Sequence, residues 1–580
     1  MVGVPSAGST FVQVQLWVGS RLVGTGEAHG RADSSDTGSP AGAGALALER
    51  AVGQALAQAL ATATASELVR GIVQANGNPA RAIRPELTIA YDPEELMVTE
   101  WDQVVGMYAV GLDALWLSVD GQLAWSLPGE QLRQDAANGT GTMLRLAARL
   151  GVPAASLADA RRDHDVRLGR ATATRLVSAE PGEPPTAVMR RHAMRLPTSL
   201  DQAREAVGDV AGFIVASAPS AELIQDPAVR TGVEAVGLSD HFDFDTGQFR
   251  DVNASPAAQA LAAWALVAAL PLLEGEEREG ALRASRAALQ SLPRRAAGEA
   301  DASTSRLASA IAVATTAGPE GGRLNVDAQT GEWVDAARAR VMESINSATP
   351  PIDESRAPEV YAFAVVAANG ADADALDHAR AAIARAWDEL PPSLLPSATA
   401  WLVMAEQAID PTSKQPPPRR ESRDRAVALL CSMQLSDPGA GARQFDLIGG
   451  IVLGHRPADA RGSPRVGAAS ALPAIAMASA QAPEDRISAA MGFLAILPVD
   501  AAGAVGVMRG SPATGAVGAV GAVGELPWST QSELGHAALV LRALTACIQA
   551  LESAPISASP LDSAPDGDTL DGVGPEEKDW

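Results

Sequence analysis

The second half of the chain is a succession of alanine-rich, apolar segments of helical length, and this pattern limits the fold more than any other sequence feature. Several segments open with residues that favour helix starts. In "NASPAAQ", "DASTSRL" and "SRAPEVY", Ser, Asp or Pro stands in or just before the first turn. The pattern predicts twelve helices, starting near residues 255, 276, 303, 333, 357, 373, 393, 421, 440, 465, 484 and 528.

Twelve short helices in succession suggest six helical hairpins over residues 255–552. Such hairpins either close into a ring, an α/α toroid, or stack as an open α-solenoid. The connections between the helices vary in length more than a regular array would allow. We therefore expect the closed ring, with the open solenoid as the alternative.

Residues 10–180 have a mixed α+β character. "FVQVQLWVGSRLVGTGEA" predicts a hairpin around Gly19-Ser20, and "GLDALWLSVDGQLAWSLPGEQL" predicts a second one that turns at Asp120-Gly121. Helices are expected over "ALALERAVGQALAQALATA" and "GTMLRLAARLGVP", and strands over "PELTIAYD" and "TATRLVSA". The sequence thus predicts an α+β domain followed by an all-α domain.

The order of residues in the first domain resembles the AMMECR family. Its members carry an early hairpin and helix, a glycine-rich strand segment, a helix ending in Leu-Gly-apolar-Pro, and a last strand. The matching positions are Gly111, Leu112, Leu115, Leu117, Gly121, Trp125, Leu127, Pro128 and Leu150-Gly151-Val152-Pro153. The family's Arg-Gly-Cys motif is not kept, because Val23 and Thr25 stand where its arginine and cysteine would be. The resemblance implies a fold and hardly any activity.

The helical half resembles the six-hairpin α/α toroid superfamily, which includes terpene cyclases, prenyltransferase β-subunits and several carbohydrate-active enzymes. The resemblance is one of pattern, and "LPWSTQSELGHAALVLRAL" is similar to the last inner helix of such proteins. The D-x-D-D acid motif of protonating cyclases does not occur, nor do the Asp, Cys and His zinc ligands of prenyltransferases. The resemblance therefore implies a fold and a central cavity without a known reaction.

Composition excludes several classes of function. A net charge of -24 argues against a general affinity for nucleic acid or anionic membranes. The only lysines are Lys414, in a Pro-rich linker, and Lys578, near the C-terminus, so P-loop and Schiff-base chemistry are not expected. Cys431 and Cys547 lie in apolar helical patterns and are expected to be buried, with no disulfide. No apolar run of membrane-spanning length and no signal peptide are evident, so a cytoplasmic location is expected.

A connecting segment, residues 181–254, contains a predicted helix and three closely spaced aspartates, Asp240, Asp243 and Asp245. A metal site is one interpretation, but the spacing does not fit a calcium loop. Alternation with Phe242 and Phe244 around a Thr-Gly turn predicts instead a hairpin with phenylalanines inward and aspartates in solvent. We expect no metal and no cofactor. Residues 553–580 form an acidic, small-residue tail that is predicted to be disordered.

Candidate ligand-binding residues belong to the inner helices, because helix ends converge there on a cavity. Polar and aromatic residues in these segments suit a sugar or an isoprenoid cation. Besides Gln259, Trp264, Glu406 and His455, the candidates are Glu359, Tyr361, Trp401, Asp446, Trp528, Gln531, Glu533 and His536.

Two functions remain open from the sequence. One is a soluble toroid protein that binds a small organic ligand, sugar-like or isoprenoid-like, in its central cavity, with weak catalysis or none. The other is a non-catalytic scaffold that binds another protein. The content of the ring interior distinguishes them, since a binding cavity needs clustered aromatic and polar groups whereas a scaffold is filled by alanine and leucine.

Overall fold

The computed structural model describes most of residues 9–553. Residues 1–8 and 554–580 lie outside the described residues, as do several short connections and the longer stretches 32–39, 62–73, 219–236, 410–418, 437–447, 453–466 and 499–530.

The described residues of the first part of the chain form an antiparallel sheet that curls, flanked by four α-helices. Its strand order is β2-β1-β3-β6-β4-β5, and β7 and β8 extend it from β6. The strands are β1 Ser9–Val18, β2 Arg21–Arg31, β3 Arg84–Glu95, β4 Asp113–Val119, β5 Gln122–Ser126, β6 Val166–Val177, β7 Thr186–Met189 and β8 His192–Ala193. The helices are α1 Pro40–Ala61, α2 Pro128–Arg133, α3 Gly139–Arg149 and α4 Leu157–Asp163.

Both predicted hairpins are present. In the β4–β5 hairpin, Asp120 and Gly121 both have positive φ, 49° and 78°, as a two-residue turn between twisted strands requires. The curl brings the two ends of the sheet together, because Phe11 on β1 stacks on Trp125 of β5 with ring centroids 4.9 Å apart. The side chains on the two faces of β1 therefore enter different cores: Val12 and Val14 pack beneath α1, and Phe11 lies on the concave side.

Helix α1 packs unusually close to strand β2. A Cβ atom at Gly26 would lie 1.7 Å from the carbonyl oxygen of Ala51, and one at Gly24 would lie 2.1 Å from that of Ala55. Gln54 and Gln58 of α1 accept hydrogen bonds from the Glu27 and Thr25 N–H groups of this edge strand. The glycines of "RLVGTGEAHG" therefore allow a helix to cover and hydrogen-bond a sheet edge.

The rest of the described chain is mostly helical. Its helices are α5 Leu200–Ala216, α6 Pro256–Ala269, α7 Gly275–Ala296, α8 Ala302–Ala317, α9 Ala328–Asn346, α10 Ala357–Asn369, α11 Ala373–Glu389, α12 Pro396–Ile409, α13 Arg420–Ser432, α14 Ala471–Ser479, α15 Glu484–Ala495 and α16 Leu534–Ser553. A small sheet of β9 His241–Asp243, β10 Gln248–Phe249 and β11 Gln531–Glu533 accompanies them. The predicted succession of a strand-rich part and a helical part is confirmed.

Most predicted helix starts agree with the described helices within three residues, and those near 333, 465 and 528 differ by five or six from the observed starts at Ala328, Ala471 and Leu534. Ser255 caps α6 by accepting the Ala258 N–H, with Pro256 in the first turn, and Asp301 caps α8. The helix expected near residue 440 falls in 437–447, outside the described residues. Helix α5, from the connecting segment, contributes Val207, Phe213 and Ile214 to the same continuous core as the later helices.

Six helices contact one another in cyclic order. Helix α6 packs on α8, α8 on α10, α10 on α12, α12 on α14, α14 on α16, and α16 returns to α6. A second set lies against them, with α7 on α6, α9 on α8, α11 on α10, α13 on α12, α15 on α14 and α5 on α16. The first six are named the inner helices below and the others the outer helices.

Helix α16 is long and apolar enough to cross a membrane, but 61% of its apolar window is buried inside the protein. A core helix of a soluble protein passes the same test. The burial of α16 among α5, α6, α14 and α15 is consistent with a soluble protein.

Candidate functional site

Three large aromatic side chains from different inner helices meet in one cluster. Trp264 of α6, Tyr361 of α10 and Trp401 of α12 have ring centroids 5.5 to 6.0 Å apart, and the Trp264 Nε1–H donates a hydrogen bond to the Tyr361 hydroxyl at 3.3 Å. Tilted and edge-on arrangements at these distances are favourable for aromatic pairs. Trp264 and Trp401 meet although α6 and α12 are three steps apart in the cyclic order of helix contacts.

The face of α6 that carries Trp264 is not completely covered by neighbouring helices. Leu261, Trp264 and Val267 keep 5–8% of their surface exposed, whereas Ala263 and Leu266 between them keep none. A spacing of three residues places the first group on one side of the helix. The side of α6 that carries Trp264 therefore retains slight solvent access.

The positively charged side chain of Arg542 also contacts the aromatic side chains. The guanidinium carbon of Arg542, on α16, lies 5.0 Å from the centroid of the Trp264 ring, and the side chain is hydrogen-bonded to Tyr361. This is cation–π geometry. Trp264, Tyr361, Trp401 and Arg542 are called the central cluster below.

Arg542 lies on a side of helix α16 that neighbouring helices cover only in part, as Trp264 does on helix α6. Along α16, Gly535, Leu539 and Arg542 are half-buried at spacings of four and three, whereas Ala538 and Leu541 are buried. The other faces of α16 pack on its four helical neighbours. Burial lowers the pKa of the Arg542 guanidinium.

Sequence reasoning missed Arg542, although a signal was visible. It is the only charged residue in the stretch "HAALVLRALTACIQAL", where every neighbour suits a core helix. A single arginine in a fully apolar helix must either reach solvent or meet a partner inside. Recognising it as part of a site required the positions of Trp264 and Tyr361 on other helices.

Of the predicted residues, Tyr361 and Trp401 come together, but Glu359 does not join them. Glu359 accepts a hydrogen bond from the Ser344 hydroxyl at 2.6 Å and lies 3.7 Å from the Arg356 guanidinium. It lines a separate cavity of about 480 Å³ between α7, α8, α9 and α10, together with Pro293, Ser305, Arg306, Ser309, Trp333, Arg340, Val341 and Ser344. Residues two apart on a helix point to different sides, which separates Glu359 from Tyr361.

Candidates at the start of α16 lie apart from the aromatic rings. Glu533 is exposed, and its carboxylate is 3.6 Å from Nδ1 of the half-buried His536. Gln531 pairs through its backbone with Asp243 in the small sheet. Asp446, Trp528 and His455 lie outside the described residues.

Two further candidates have structural partners. The Gln259 amide accepts from the Leu238 N–H at 3.0 Å and donates to the Leu238 carbonyl at 2.8 Å, which fixes the chain before the small sheet. Glu406 is fully buried and accepts from the Trp387 Nε1–H at 2.8 Å, with the Arg423 guanidinium 3.7 Å away. Both side chains stabilise connections between helices and neighbouring segments.

The predicted aspartate hairpin is formed by β9 and β10. Phe242 is buried and packs edge-on against Phe213 and Phe249. Asp240 has a role that the pattern did not indicate, because its carboxylate and its carbonyl oxygen both accept from the Leu534 N–H at the start of α16. Asp245 and Phe244 lie outside the described residues, and within the described part of the chain no three His, Cys, Asp or Glu side chains are grouped as metal ligands.

The two cysteines do not offer a reactive thiol. Burial raises the pKa of Cys547 to about 12, and burial also raises that of the half-buried Cys431. Since the thiolate is the nucleophilic form, burial makes both thiols less reactive.

Neither protein-family models nor curated proteins give a match to this chain. The site is therefore interpreted from its geometry. The central cluster provides aromatic faces, a phenol and a fixed cation, which are groups that bind and orient a molecule.

Proposed function

We propose that the inner and outer helices form a closed α/α toroid, and that this soluble, cytoplasmic protein binds a small organic ligand in the central cavity of the ring. The ring is supported by the cyclic contacts of the inner helices, in which α16 returns to α6. Each outer helix packs on an inner one, which is the arrangement that six consecutive hairpins produce when the first and last elements meet.

The central cluster is the observation that carries the binding function. A scaffold would fill the ring interior with alanine and leucine, whereas two tryptophans, a tyrosine and an arginine from four inner helices contact one another here. Ligand pockets combine mostly apolar and aromatic walls with a few polar groups that fix orientation. Leu261, Val267 and Leu539 supply apolar surface beside the cluster.

The ligand is proposed to contain a ring or an unsaturated chain. Flat aromatic faces bind sugar rings and isoprenoid chains through apolar contact, and the Tyr361 hydroxyl and the Arg542 N–H groups suit oxygen atoms. The described residues of the cluster include no carboxylate, so a general acid–base pair is not part of this proposal. The proposed activity is therefore binding.

A ligand screen tests the proposal. Thermal unfolding of the full chain is measured with monosaccharides, disaccharides, geraniol and farnesol, because a ligand at one hundred times its Kd stabilises the folded state by about 2.7 kcal/mol. Isothermal titration below the unfolding temperature then gives the affinity. We expect Trp401→Leu to weaken binding about tenfold, since aromatic and cation–π contacts are worth about 0.5–2 kcal/mol.

Trp333→Leu is the matched control, because Trp333 is a half-buried tryptophan on the outer helix α9 that lines the separate cavity. Loss of binding in Trp333→Leu with normal binding in Trp401→Leu would move the site to that cavity. Absence of binding by every compound, together with co-purification of a defined protein partner, would favour the scaffold function instead.

A further inference from the structure

The guanidinium of the half-buried Arg542 has no opposite charge among its contacts with the described residues. Its Nε and Nη1 atoms are inaccessible to solvent and have no hydrogen-bond acceptor among the residues that the structure describes. Its contacts are the face of Trp264 and the hydroxyl of Tyr361, both neutral groups. A buried cation costs free energy unless it is paired and hydrogen-bonded, so this arrangement is incomplete.

No carboxylate of the described inner helices pairs with Arg542, because each one has other partners. Across α6, α8, α10, α12, α14 and α16 the acidic residues are Glu359, Glu406 and Glu552. Glu359 faces Ser344 and Arg356, Glu406 faces Trp387 and Arg423, and Glu552 accepts from Arg204 at 2.6 Å. Glu533, just before α16, is nine residues from Arg542, or about 13 Å along the helix axis.

We infer that Arg542 binds a carboxylate group of the ligand, so that the molecule held in the central cavity is an organic acid with a ring or apolar chain. This inference rests on the proposed central binding site and names its ligand class. The ligand carboxylate would reach the Nε and Nη1 donors through a shift of the Arg542 side chain, and its apolar part would lie on Trp264 and Trp401. Arginine suits this role because its guanidinium stays charged and can stack on an aromatic ring while its edge donates.

A single negative charge fits the site better than a phosphate or diphosphate. The only basic residues of the six inner helices are Arg306, which lines the separate cavity, Arg542 and the half-buried His536. The chain contains two lysines, Lys414 and Lys578, and neither belongs to an inner helix. A phosphate carries up to two charges at neutral pH and commonly needs several cations or a metal ion to balance it.

The test compares charged and neutral probes of the same shape. Phenylacetate and phenylacetamide form one pair, and glucuronate and glucose form the other, with inorganic phosphate as a separate anion at equal ionic strength. Binding is measured by isothermal titration and thermal shift on the full chain. We expect at least one carboxylate to bind about tenfold or more tightly than its neutral partner, because hydrogen bonds to a charged group are stronger than those between neutral groups.

Three variants identify the residue responsible. Arg542→Met keeps the volume and removes the charge, and we expect it to abolish the preference for the carboxylate. Arg542→Lys keeps the charge and should retain part of the preference. Arg425→Gln is the matched control, since Arg425 is exposed on the outer helix α13 and pairs with Glu421, and it should bind as the wild type does.

Each outcome bears on one of the two proposals. Equal binding of the acid and its neutral partner, or an unchanged preference in Arg542→Met, would overturn the role of Arg542 while leaving the central site in place. Phosphate binding tighter than either carboxylate, lost in Arg542→Met, would replace the ligand class. Failure of all five probes and of every screened compound would overturn the central site itself. If Arg542→Met did not fold, the Arg542→Lys comparison would carry the test.

Discussion

The strand-rich region and the helical region bury arginine in different ways. In the sheet, Arg175 and Glu86 are both buried on neighbouring strands, and the Arg175 Nε lies 2.6 Å from the Glu86 carboxylate. In the helical region, the guanidinium of the half-buried Arg542 lies against Trp264 and Tyr361 with no carboxylate among its described contacts. A buried pair holds two strands in register, whereas a buried lone cation lowers stability and is expected where a ligand supplies the missing charge.

The two regions also pack differently. The sheet region has three small apolar clusters, separated by the curled sheet and by the close contact of α1 with β2, whereas the helical region has one continuous cluster from α5 to α16. The comparison predicts that a substitution in one region leaves the structure of the other region intact. It also predicts that removing the charge of Glu86 lowers the unfolding free energy, whereas removing the charge of Arg542 raises it.

The largest effect is expected from Glu86→Gln. It leaves Arg84 and Arg175 buried beside a neutral side chain, and breaking a buried ion pair costs about 3–5 kcal/mol of unfolding free energy. Urea unfolding followed by circular dichroism measures the loss. Glu94→Gln on the same strand is the control, because Glu94 is exposed and its pair with Arg170 is worth about 0–1 kcal/mol. Equal effects in the two variants would remove the distinction between buried and exposed pairs.

Arg542→Met is expected to change stability in the opposite direction. Replacing an unpaired buried charge by an apolar side chain of similar length should raise the unfolding free energy of the ligand-free protein by about 1–4 kcal/mol. The same urea experiment measures this gain, with Arg425→Met as the surface control. A loss of stability in Arg542→Met would show that Arg542 is already satisfied within the protein, and the contrast between the two regions would fail.

Gly26→Ala should destabilise the sheet region by about 1–3 kcal/mol, because a methyl group cannot fit against the Ala51 carbonyl oxygen without moving α1. Gly53→Ala in α1 is the control. No heavy atom lies within 4 Å of a Cβ at that position, and alanine in a helix is more stable than glycine by about 0.5–1 kcal/mol. Thermal unfolding of both variants should therefore shift in opposite directions, and equal shifts would argue against close packing of α1 on β2.

The smallest effect concerns pH in the helical region. Hydrogen bonds from Thr304 and Ser303 lower the pKa of Asp301, which caps α8, from 3.8 to about 2. Since the folded state has the lower pKa, the stabilising effect is fully present above about pH 4 and is lost as the pH falls towards 2. The difference in unfolding temperature between the wild type and Asp301→Asn should therefore shrink between pH 5 and pH 2.5. A constant difference would contradict the assigned pKa.

Much of the fold follows from the sequence because its causes are local. The Asp120-Gly121 turn requires positive φ at both residues, and Asp-Gly is a pair that tolerates it. The helix starts at 256 and 302 follow from Ser255 and Asp301, whose side chains accept N–H groups two or three residues away. Such interactions act within a few residues, so a pattern in the sequence is enough to predict them.

The candidate site follows from the sequence only in part. Tyr361 and Trp401 were predicted as ligand-binding residues, and the structure brings them together with Trp264. Glu359 was predicted beside Tyr361 but lines the cavity between α7, α8, α9 and α10, since the side of a helix that a residue occupies relative to its neighbours depends on how the helices pack. The closure of the ring stays a prediction that the cyclic contacts support.

The sequence by itself determined most of the strands and helices, although not α2, α4, β7 and β8, because backbone turns, caps and apolar spacing act over short distances. Only the tertiary structure decided that Asp240 would cap α16, 294 residues further along the chain, and that Arg542 would meet Trp264. Contacts of this kind depend on how the helices pack around one core. Whether a charged side chain in that core finds a partner depends on residues far away in the sequence, and no local pattern identifies those residues.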